Sequence, residues 1–259
     1  MSQIKDFSFQ GKIWLGTRTS AGKAGALTQV GDAPALQLKL TAARDNRTES
    51  MDGQRVQSAT VQKSKEAALS MTLNYFGSKQ LALGLYGNVN TIAAGTFTAE
   101  SLPTGLVAGD GFILDNSNVS DVVITDSAVG PATLTPNTDY EMEPSGSGIG
   151  TLLNAGAYTQ PFKAAGSMAA RVDLAMFSAP IPSRYLILDG LNTTLGDDYG
   201  KRILVRLYQC VFDPVGQLDF ISDTFGQLQL TGTVLYDALN AADPLLGGFG
   251  KLELPDESA

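Results

Sequence analysis

Regular alternation of apolar and polar side chains is the feature that most constrains the fold of this chain. The segment Ala35–Thr41 places leucine at every second position, and Ala68–Tyr75 and Gln227–Tyr236 repeat the same period of two. Side chains with this period point alternately to opposite faces of a strand, so one face is buried and the other is wet, as in an antiparallel sheet. The pattern therefore predicts an all-β fold.

Further strands are predicted where shorter segments are bounded by turn residues: Gly11–Thr17, Val122–Thr125, Asp139–Met142, Gly150–Leu153, Ala169–Phe177, Tyr185–Thr193 and Arg202–Phe212. One flanking α-helix is predicted at Ser78–Tyr86, with Ser78 as its N-cap and Gly87 as its stop. A second helical turn is predicted near Pro214–Phe220, with Asp213 as its cap. The later strands are long enough for a sandwich or a barrel.

The chain of 259 residues contains no histidine and a single cysteine, Cys210. Without histidine, Ser-His-Asp and Cys-His catalysis and His-ligated metals are excluded. A single cysteine excludes intramolecular disulfides and cysteine-rich metal centres. Cys210 lies among apolar residues of a predicted strand, so we expect a buried side chain rather than a nucleophile. We therefore expect no enzymatic activity, no cofactor and no metal.

The first ten residues contain no continuous apolar segment, and no apolar run elsewhere reaches 18 residues. We therefore expect neither a secretory signal nor a membrane-spanning segment, and a cytosol-like compartment. The formal net charge of −8 argues against ordinary nucleic-acid binding, which needs a basic surface.

Acidic residues are concentrated in the middle of the chain. The 83 positions from Gln80 to Phe162 contain eight acids and no lysine or arginine, whereas Lys39–Glu66 contains six of the 18 basic residues. Either both segments are simply solvated, or the surface is divided by sign and one part pairs with a neighbouring subunit. We expect a single domain, 1–259, in which the acidic segment at about 88–162 is an integral part, a subdomain or an insertion.

Three motifs resemble binding sites but fail on spacing. Gly16–Ala24 has one residue too many for a phosphate-binding loop, no helix after it and alanine where a metal-binding hydroxyl is needed, so a surface loop is favoured. Gly146–Gly150 is better explained as a hairpin turn than as a dinucleotide fingerprint. The acids and amides of Asp110–Asp121 do not match a calcium-binding loop, and an unliganded acidic loop is favoured.

Four stretches, taken in order, resemble the tail tube proteins of long-tailed bacteriophages. They are GKIWLGTRTSAGKAGALTQVGDAPALQLKL (Gly11–Leu40), SMTLNYFGSKQLALGLYG (Ser70–Gly87), PNTDYEMEPSGSGIGTL (Pro136–Leu152) and GKRILVRLYQCVFDPVGQLDFISDTFGQLQLTGTVLYD (Gly200–Asp237). The resemblance extends from Gly11 to about Leu254. It rests on packing and turn motifs in a shared order rather than on any single motif.

The resemblance implies a two-sheet β-sandwich with a flanking helix, six copies of which close into a ring. Rings stack into a tube through which genomic DNA passes without specific binding. The implied partners are further copies of the chain, a tape measure protein in the lumen during assembly, and tail terminator and tail-tip proteins at the ends. The implied location is the virion tail, assembled in the host cytoplasm.

Within this framework the polar segment Ala42–Ser64 is expected to be a long loop that contacts a neighbouring subunit or ring. Both charge signs occur in it, so it can pair electrostatically with another copy. The candidate contact residues are Arg44, Asp45, Arg47, Glu49, Asp52 and Arg55.

Two alternatives remain open from the sequence. One is the ring-forming tube protein of a contractile secretion system, which has a related fold but is usually shorter. The other is a ligand-binding β-sandwich, for example for carbohydrate. That function requires exposed aromatic residues on one face, and the only tryptophan, Trp14, lies in the first predicted strand.

Overall fold

The computed structural model describes residues 6–51 and 53–254. The chain divides into two compact units: unit 1 comprises 1–88 and 174–259, and unit 2 comprises 89–173. The predicted all-β class is confirmed, because strands predominate and the described residues include only two short α-helices. The predicted acidic segment covers most of unit 2.

The first eight strands are β1 (Phe9–Arg18), β2 (Ala24–Gln29), β3 (Ala35–Thr48), β4 (Gln57–Leu73), β5 (Asn88–Ile92), β6 (Gly95–Ser101), β7 (Gly111–Ile113) and β8 (Val119–Thr125). The others are β9 (Tyr140–Met142), β10 (Ile149–Leu152), β11 (Lys163–Met168), β12 (Arg171–Ala175), β13 (Ser183–Asn192), β14 (Arg202–Phe212), β15 (Leu228–Val234) and β16 (Gly250–Glu253). The helices are α1 (Ser78–Leu85) and α2 (Ala238–Ala241).

Unit 1 is built on one eight-stranded antiparallel sheet rather than on two separately bonded sheets. Its order is β2-β1-β13-β14-β15-β4-β3, and β16 pairs with β14 beside β15. The register aligns apolar side chains across the strands, so that Leu188 lies opposite both Ile13 and Val205, and Leu230 lies opposite Met71. This apolar face, with α1 packed against it, forms the core of unit 1.

Helix α1 forms where the sequence predicts it, but both of its predicted caps are wrong. Gly77, not Ser78, is the N-cap, and its N–H donates to the side chain of Gln80 (3.0 Å). The left-handed residue at the other end is Tyr86 (φ 50°), one position before Gly87. Its hydroxyl donates to the carbonyl of Phe212 at 2.6 Å, which fixes the side chain of the strained residue.

Close packing explains why helix α1 contains a glycine, Gly84. A Cβ on Gly84 would lie 2.4 Å from the side chain of Val215, and the N–H of Val215 donates to the carbonyl of Gly84 at 2.8 Å. Glycine is therefore required where the segment after β14 crosses the helix. Because Val215 is held in this way, the helical turn predicted near Pro214–Phe220 does not form, and that prediction is wrong.

Arg18 and Asp237 tie the β1–β2 hairpin to α2. Arg18 donates from Nε (2.9 Å) and Nη2 (2.8 Å) to the buried carboxylate of Asp237. Asn240 donates to the same carboxylate and to the carbonyl of Gly22, both at 2.8 Å. These bonds, the Arg18 bond above all, lower the pKa of Asp237 to about 2. The Gly16–Ala24 segment thus comprises the end of β1, a hairpin loop at residues 19–23 and the start of β2, and buried polar groups anchor it.

Unit 2 contains two three-stranded sheets, β7-β10-β9 and β6-β11-β8. The β9–β10 hairpin turns at residues 143–148, so the predicted hairpin turn at Gly146–Gly150 forms, with its last two residues in β10. A separate two-stranded sheet joins β5 and β12. The core of unit 2 contains Phe97, Phe112, Ile124, Leu134, Tyr140, Leu152 and Phe162.

Two buried carboxylates organise the loops of unit 2. Asp126 accepts hydrogen bonds from the N–H groups of Ala132 (2.7 Å) and Thr159 (3.2 Å). Asp139 accepts from the N–H of Thr135 and from the hydroxyl of Tyr158, both at 2.8 Å. These donors favour the charged form and lower the pKa of both carboxyl groups.

Replacing Asp237 with asparagine keeps its size and helix-capping oxygen but removes the charge that Arg18 binds. We expect unit 1 to lose about 2 kcal/mol of unfolding free energy, because hydrogen bonds to a charged group are lost in a buried site. Urea denaturation followed by Trp14 fluorescence measures this, since Trp14 lies in β1. Asp189→Asn is the control, because its contact with Arg202 is long (3.7 Å) and exposed and should be worth less than about 0.5 kcal/mol. Equal losses in the two variants would contradict the assignment.

The stability of unit 2 should depend on pH through Asp126 and Asp139. Their pKa values are lower in the folded state than the value of about 3.9 in the unfolded chain. Their contribution is therefore complete above about pH 4 and is lost as the pH falls through the folded pKa. Asp139→Asn should destabilise unit 2 at pH 7, and its difference from wild type should shrink as the pH falls below about 4 and through the folded pKa.

Tyr158→Phe removes one donor to Asp139 and should weaken the same pH dependence. Hydrogen exchange of the β11 amides measures both variants in the intact chain. A destabilisation by Asp139→Asn that stayed constant across the pH range would contradict this explanation.

Candidate functional site

A two-stranded arm extends from the sheet of unit 1. Strands β3 and β4 pair from Ala35 opposite Thr72 to Thr48 opposite Gln57, whereas β15 pairs with β4 only over Ala67–Leu73. Residues 41–66 are therefore a hairpin to which no other described strand is paired, and we call this segment the arm. Every described side chain of the arm is exposed except Ser64, which is half-buried.

The loop predicted over Ala42–Ser64 is wrong, because most of this segment is strand. The arm is polar on both faces, so it has none of the apolar alternation that identifies a half-buried strand. One signal did indicate a hairpin: Asp-Gly at positions 52 and 53, a dipeptide common in tight turns. Gly53 has φ 71°, and the N–H of Glu49 donates to the carbonyl of Val56 (2.8 Å) near the end of the arm.

Side-chain hydrogen bonds hold the two strands of the arm together. The amide oxygen of Asn46 accepts from the hydroxyl of Thr60 (2.7 Å) and from the amide of Gln57 (3.1 Å). The hydroxyl of Ser58 donates to the carbonyl of Arg47 at 3.2 Å. Register shifts leave Lys63 and Ser58 without opposite residues, as in β-bulges, which increase the local twist of a ribbon.

The predicted contact residues all belong to the arm, but the structure does not bring them together as one cluster. Asp45 lies 3.0 Å from the amine of Lys63, a pair in which both side chains are more than half exposed. Arg44 and Arg47 lie on opposite faces of β3, because they are three positions apart, an odd number, along a strand. Glu49 and Arg55 lie beyond the strand ends, and Asp52 lies outside the described residues.

The three arginines of the arm are available to an outside partner. Arg44, Arg47 and Arg55 make no salt bridge to another residue in the described ranges 6–51 and 53–254. Exposed apolar side chains accompany them, including Met51, Val56 and Val61. Since a hairpin with two wet faces is at best marginally stable alone, a partner that covers one face would stabilise it.

Charge is distributed unevenly between the units. Unit 2 has nine acids and two basic residues, whereas Lys39–Glu66 has six basic residues and four acids. The arm itself, residues 41–66, has five basic residues and four acids, so its formal charge is +1 in a protein whose net charge is −8. This distribution favours contacts of the arm with acidic surfaces.

The other candidate groups occupy structural positions. Cys210 is buried in β14, as predicted, and burial raises its pKa to about 12. The carboxylate of Asp110 accepts the N–H of Val107 at 2.9 Å within its own turn. Across the described part of the chain, no three His, Cys, Asp or Glu residues are placed to hold a metal ion. No helix formed by the described residues has the length and apolarity needed to span a membrane.

A family model described as "Protein of unknown function UCP028589" matches residues 6–253. The chain belongs to this family. A comparison with curated proteins found no match.

The arm should open more easily than the sheet that carries it, because its hydrogen bonds are exposed on both faces. We expect the β3 amides of the arm to exchange on the order of 100-fold faster than those at Leu36–Leu38. Asn46→Ala should increase exchange in the arm further, since two side chains lose their acceptor. Gln62→Ala is the control, because the Gln62 side chain makes no hydrogen bond to another described residue. Slow exchange throughout the arm of the monomer would contradict this prediction.

Proposed function

We propose that this protein is a structural subunit that forms hexameric rings stacked into a tube, as in the tails of long-tailed bacteriophages. The observation that supports this best is the arm, a bonded two-stranded hairpin with two exposed faces. A hairpin of this kind gains little stability in an isolated chain and would be stabilised by contact with a neighbouring subunit. The resemblance to tail tube proteins, from Gly11 to about Leu254, is the basis for proposing rings stacked into a tube.

The sheet of unit 1 supports the same proposal through its free edges. Strands β2 and β3 stand at the two ends of the sheet order. An unpaired strand edge is a template for another strand, and closure into a ring removes such edges. Pairing of β2 in one copy with β3 in the next would join six sheets into a continuous wall.

The charge of the protein also suits a conduit for DNA. Six copies carry a formal charge of about −48, because each chain carries −8. A wall that repels a polyanion lets DNA pass without holding it. In this proposal a tape measure protein occupies the lumen during assembly in the host cytoplasm, and terminator and tail-tip proteins close the ends of the tube in the virion.

Reversing the charge of the arm tests its role. The triple variant Arg44→Glu, Arg47→Glu and Arg55→Glu should abolish tube growth, because it places like charges against an acidic neighbour. Negative-stain microscopy across a series of protein and salt concentrations measures growth. Arg202→Glu, an exposed cation of the sheet, is the control and should leave growth unchanged.

The outcomes separate the proposal from its alternatives. Hollow tubes of uniform diameter from the wild type, lost in the triple variant, would support it. Normal tubes from the triple variant would show that the charges of the arm have no role in assembly. A wild-type protein that stays monomeric and binds a glycan in a screen would instead favour the ligand-binding β-sandwich.

A further inference from the structure

At one place the apolar face of the unit 1 sheet is not covered by another part of the structure. Leu40 lies opposite the buried Ala67, so it is on the core face of the sheet, yet its side chain is 71% exposed. Leu252 lies opposite Val205 on the same face and is 57% exposed. Large apolar side chains on a core face are normally covered, so these two mark an unfilled site.

A fork in the sheet produces this site. Strand β14 pairs with β15 over Cys210–Phe212 and with β16 over Leu204–Leu207, so β15 and β16 diverge from it. The space between the two branches is a cleft of about 230 Å³. We call it the cleft; it is lined chiefly by Leu38, Leu40, Ala67, Val205, Leu207 and Leu252. It lacks the convergent polar groups that orient a small ligand.

The complementary surface lies on the loop between β14 and β15, Asp213–Gln227. Phe220, Ile221 and Phe225 are 80%, 96% and 100% exposed, and we call these three side chains the knob. No lysine or arginine occurs from Leu207 to Gly250, while the loop itself contains Asp213, Asp219 and Asp223. The knob is therefore apolar and surrounded by negative charge.

The cleft has the opposite character. Lys65 is two positions from Ala67 and shares its face, and Lys251 lines the cleft while its amine lies 3.3 Å from Glu253. An apolar groove bordered by lysines is complementary to an apolar knob bordered by aspartates. An anionic membrane surface would repel the aspartates of the knob.

The two surfaces are separated within one chain. The knob loop precedes Leu228 and the cleft includes Val234, so the length of β15, about 20 Å at 3.3 Å per residue, lies between them. We propose that the knob of one copy inserts into the cleft of a second copy. Because the two patches differ, the contact is head-to-tail and can continue from copy to copy. Apart from Lys65 it involves residues outside the arm, and it holds whether or not the arginines of the arm act in assembly.

Complementation between two defective variants tests this contact. The knob variant carries Phe220→Ser, Ile221→Ser and Phe225→Ser, and the cleft variant carries Leu40→Glu and Leu252→Glu. All five side chains are exposed, so both variants should fold, which circular dichroism and Trp14 fluorescence check. In sedimentation velocity the wild type should associate with rising concentration, and each variant alone should stay monomeric.

Mixing the variants gives the decisive result. Each mixed pair retains one intact knob and one intact cleft, so we expect a 1:1 dimer and no larger species. If the wild type associates, a mixture of the variants that stays monomeric, or single variants that associate like the wild type, would overturn the proposal. A wild type that remains monomeric at every concentration would also overturn it, unless the crosslink described next forms.

Disulfide trapping detects even a weak contact. A Leu40→Cys chain mixed with a Phe220→Cys chain should crosslink at least about tenfold faster than a Leu40→Cys chain mixed with a Val129→Cys chain, because binding raises the local thiol concentration. Val129 is fully exposed in unit 2, and the native thiol of Cys210 is buried and unreactive. Equal crosslinking rates, with no association of the wild type, would refute the contact. The arm triple variant should crosslink normally, which separates this contact from the proposed role of the arm.

Discussion

Covering one apolar sheet face is the constraint on which unit 1 depends. Its strands place leucine, isoleucine, valine and methionine on a common face by register. Helix α1 and the segment at Val215 then pack against that face, and Gly84 lets them approach closely. Burial of apolar area is the main favourable term in folding, so these elements form around the face rather than by local propensity alone.

The same constraint explains where the protein exposes surfaces that can bind other molecules. At the fork between β15 and β16 the apolar face of the sheet extends past the elements that cover it, and the uncovered part forms the cleft. Beyond Ala67 the β3–β4 ladder continues without a core, and the chain changes from leucine to arginine, asparagine and threonine. Apolar and polar interaction surfaces thus follow one another along the same two strands.

The sequence predicted those parts of the fold whose side chains alternate between core and water. Arg202–Phe212 was predicted as a strand with its observed bounds, and α1 was predicted to within one residue. The arm was missed as a strand because Thr41–Thr48 is polar on both faces, and pairing with β4 alone decides its conformation. The turn predicted near Pro214 failed because Val215 bonds to α1, a contact between residues more than 100 positions apart. Sequence alone placed charge in the arm but could not show that Arg44 and Arg47 lie on opposite faces, because that requires the strand.

Both boundaries of unit 2 fall within strands that are hydrogen-bonded to each other, the first in β5 and the second in β12. Two hydrogen-bonded strands lie about 4.8 Å apart. The chain therefore enters and leaves unit 2 at adjacent points. A short turn joining β5 to β12 would close unit 1 without stretching it, and a foreign domain with adjacent termini would fit the same position. None of the strands of the sheet that carries the arm lies in unit 2, so removing or replacing the inserted module would leave that sheet uncut.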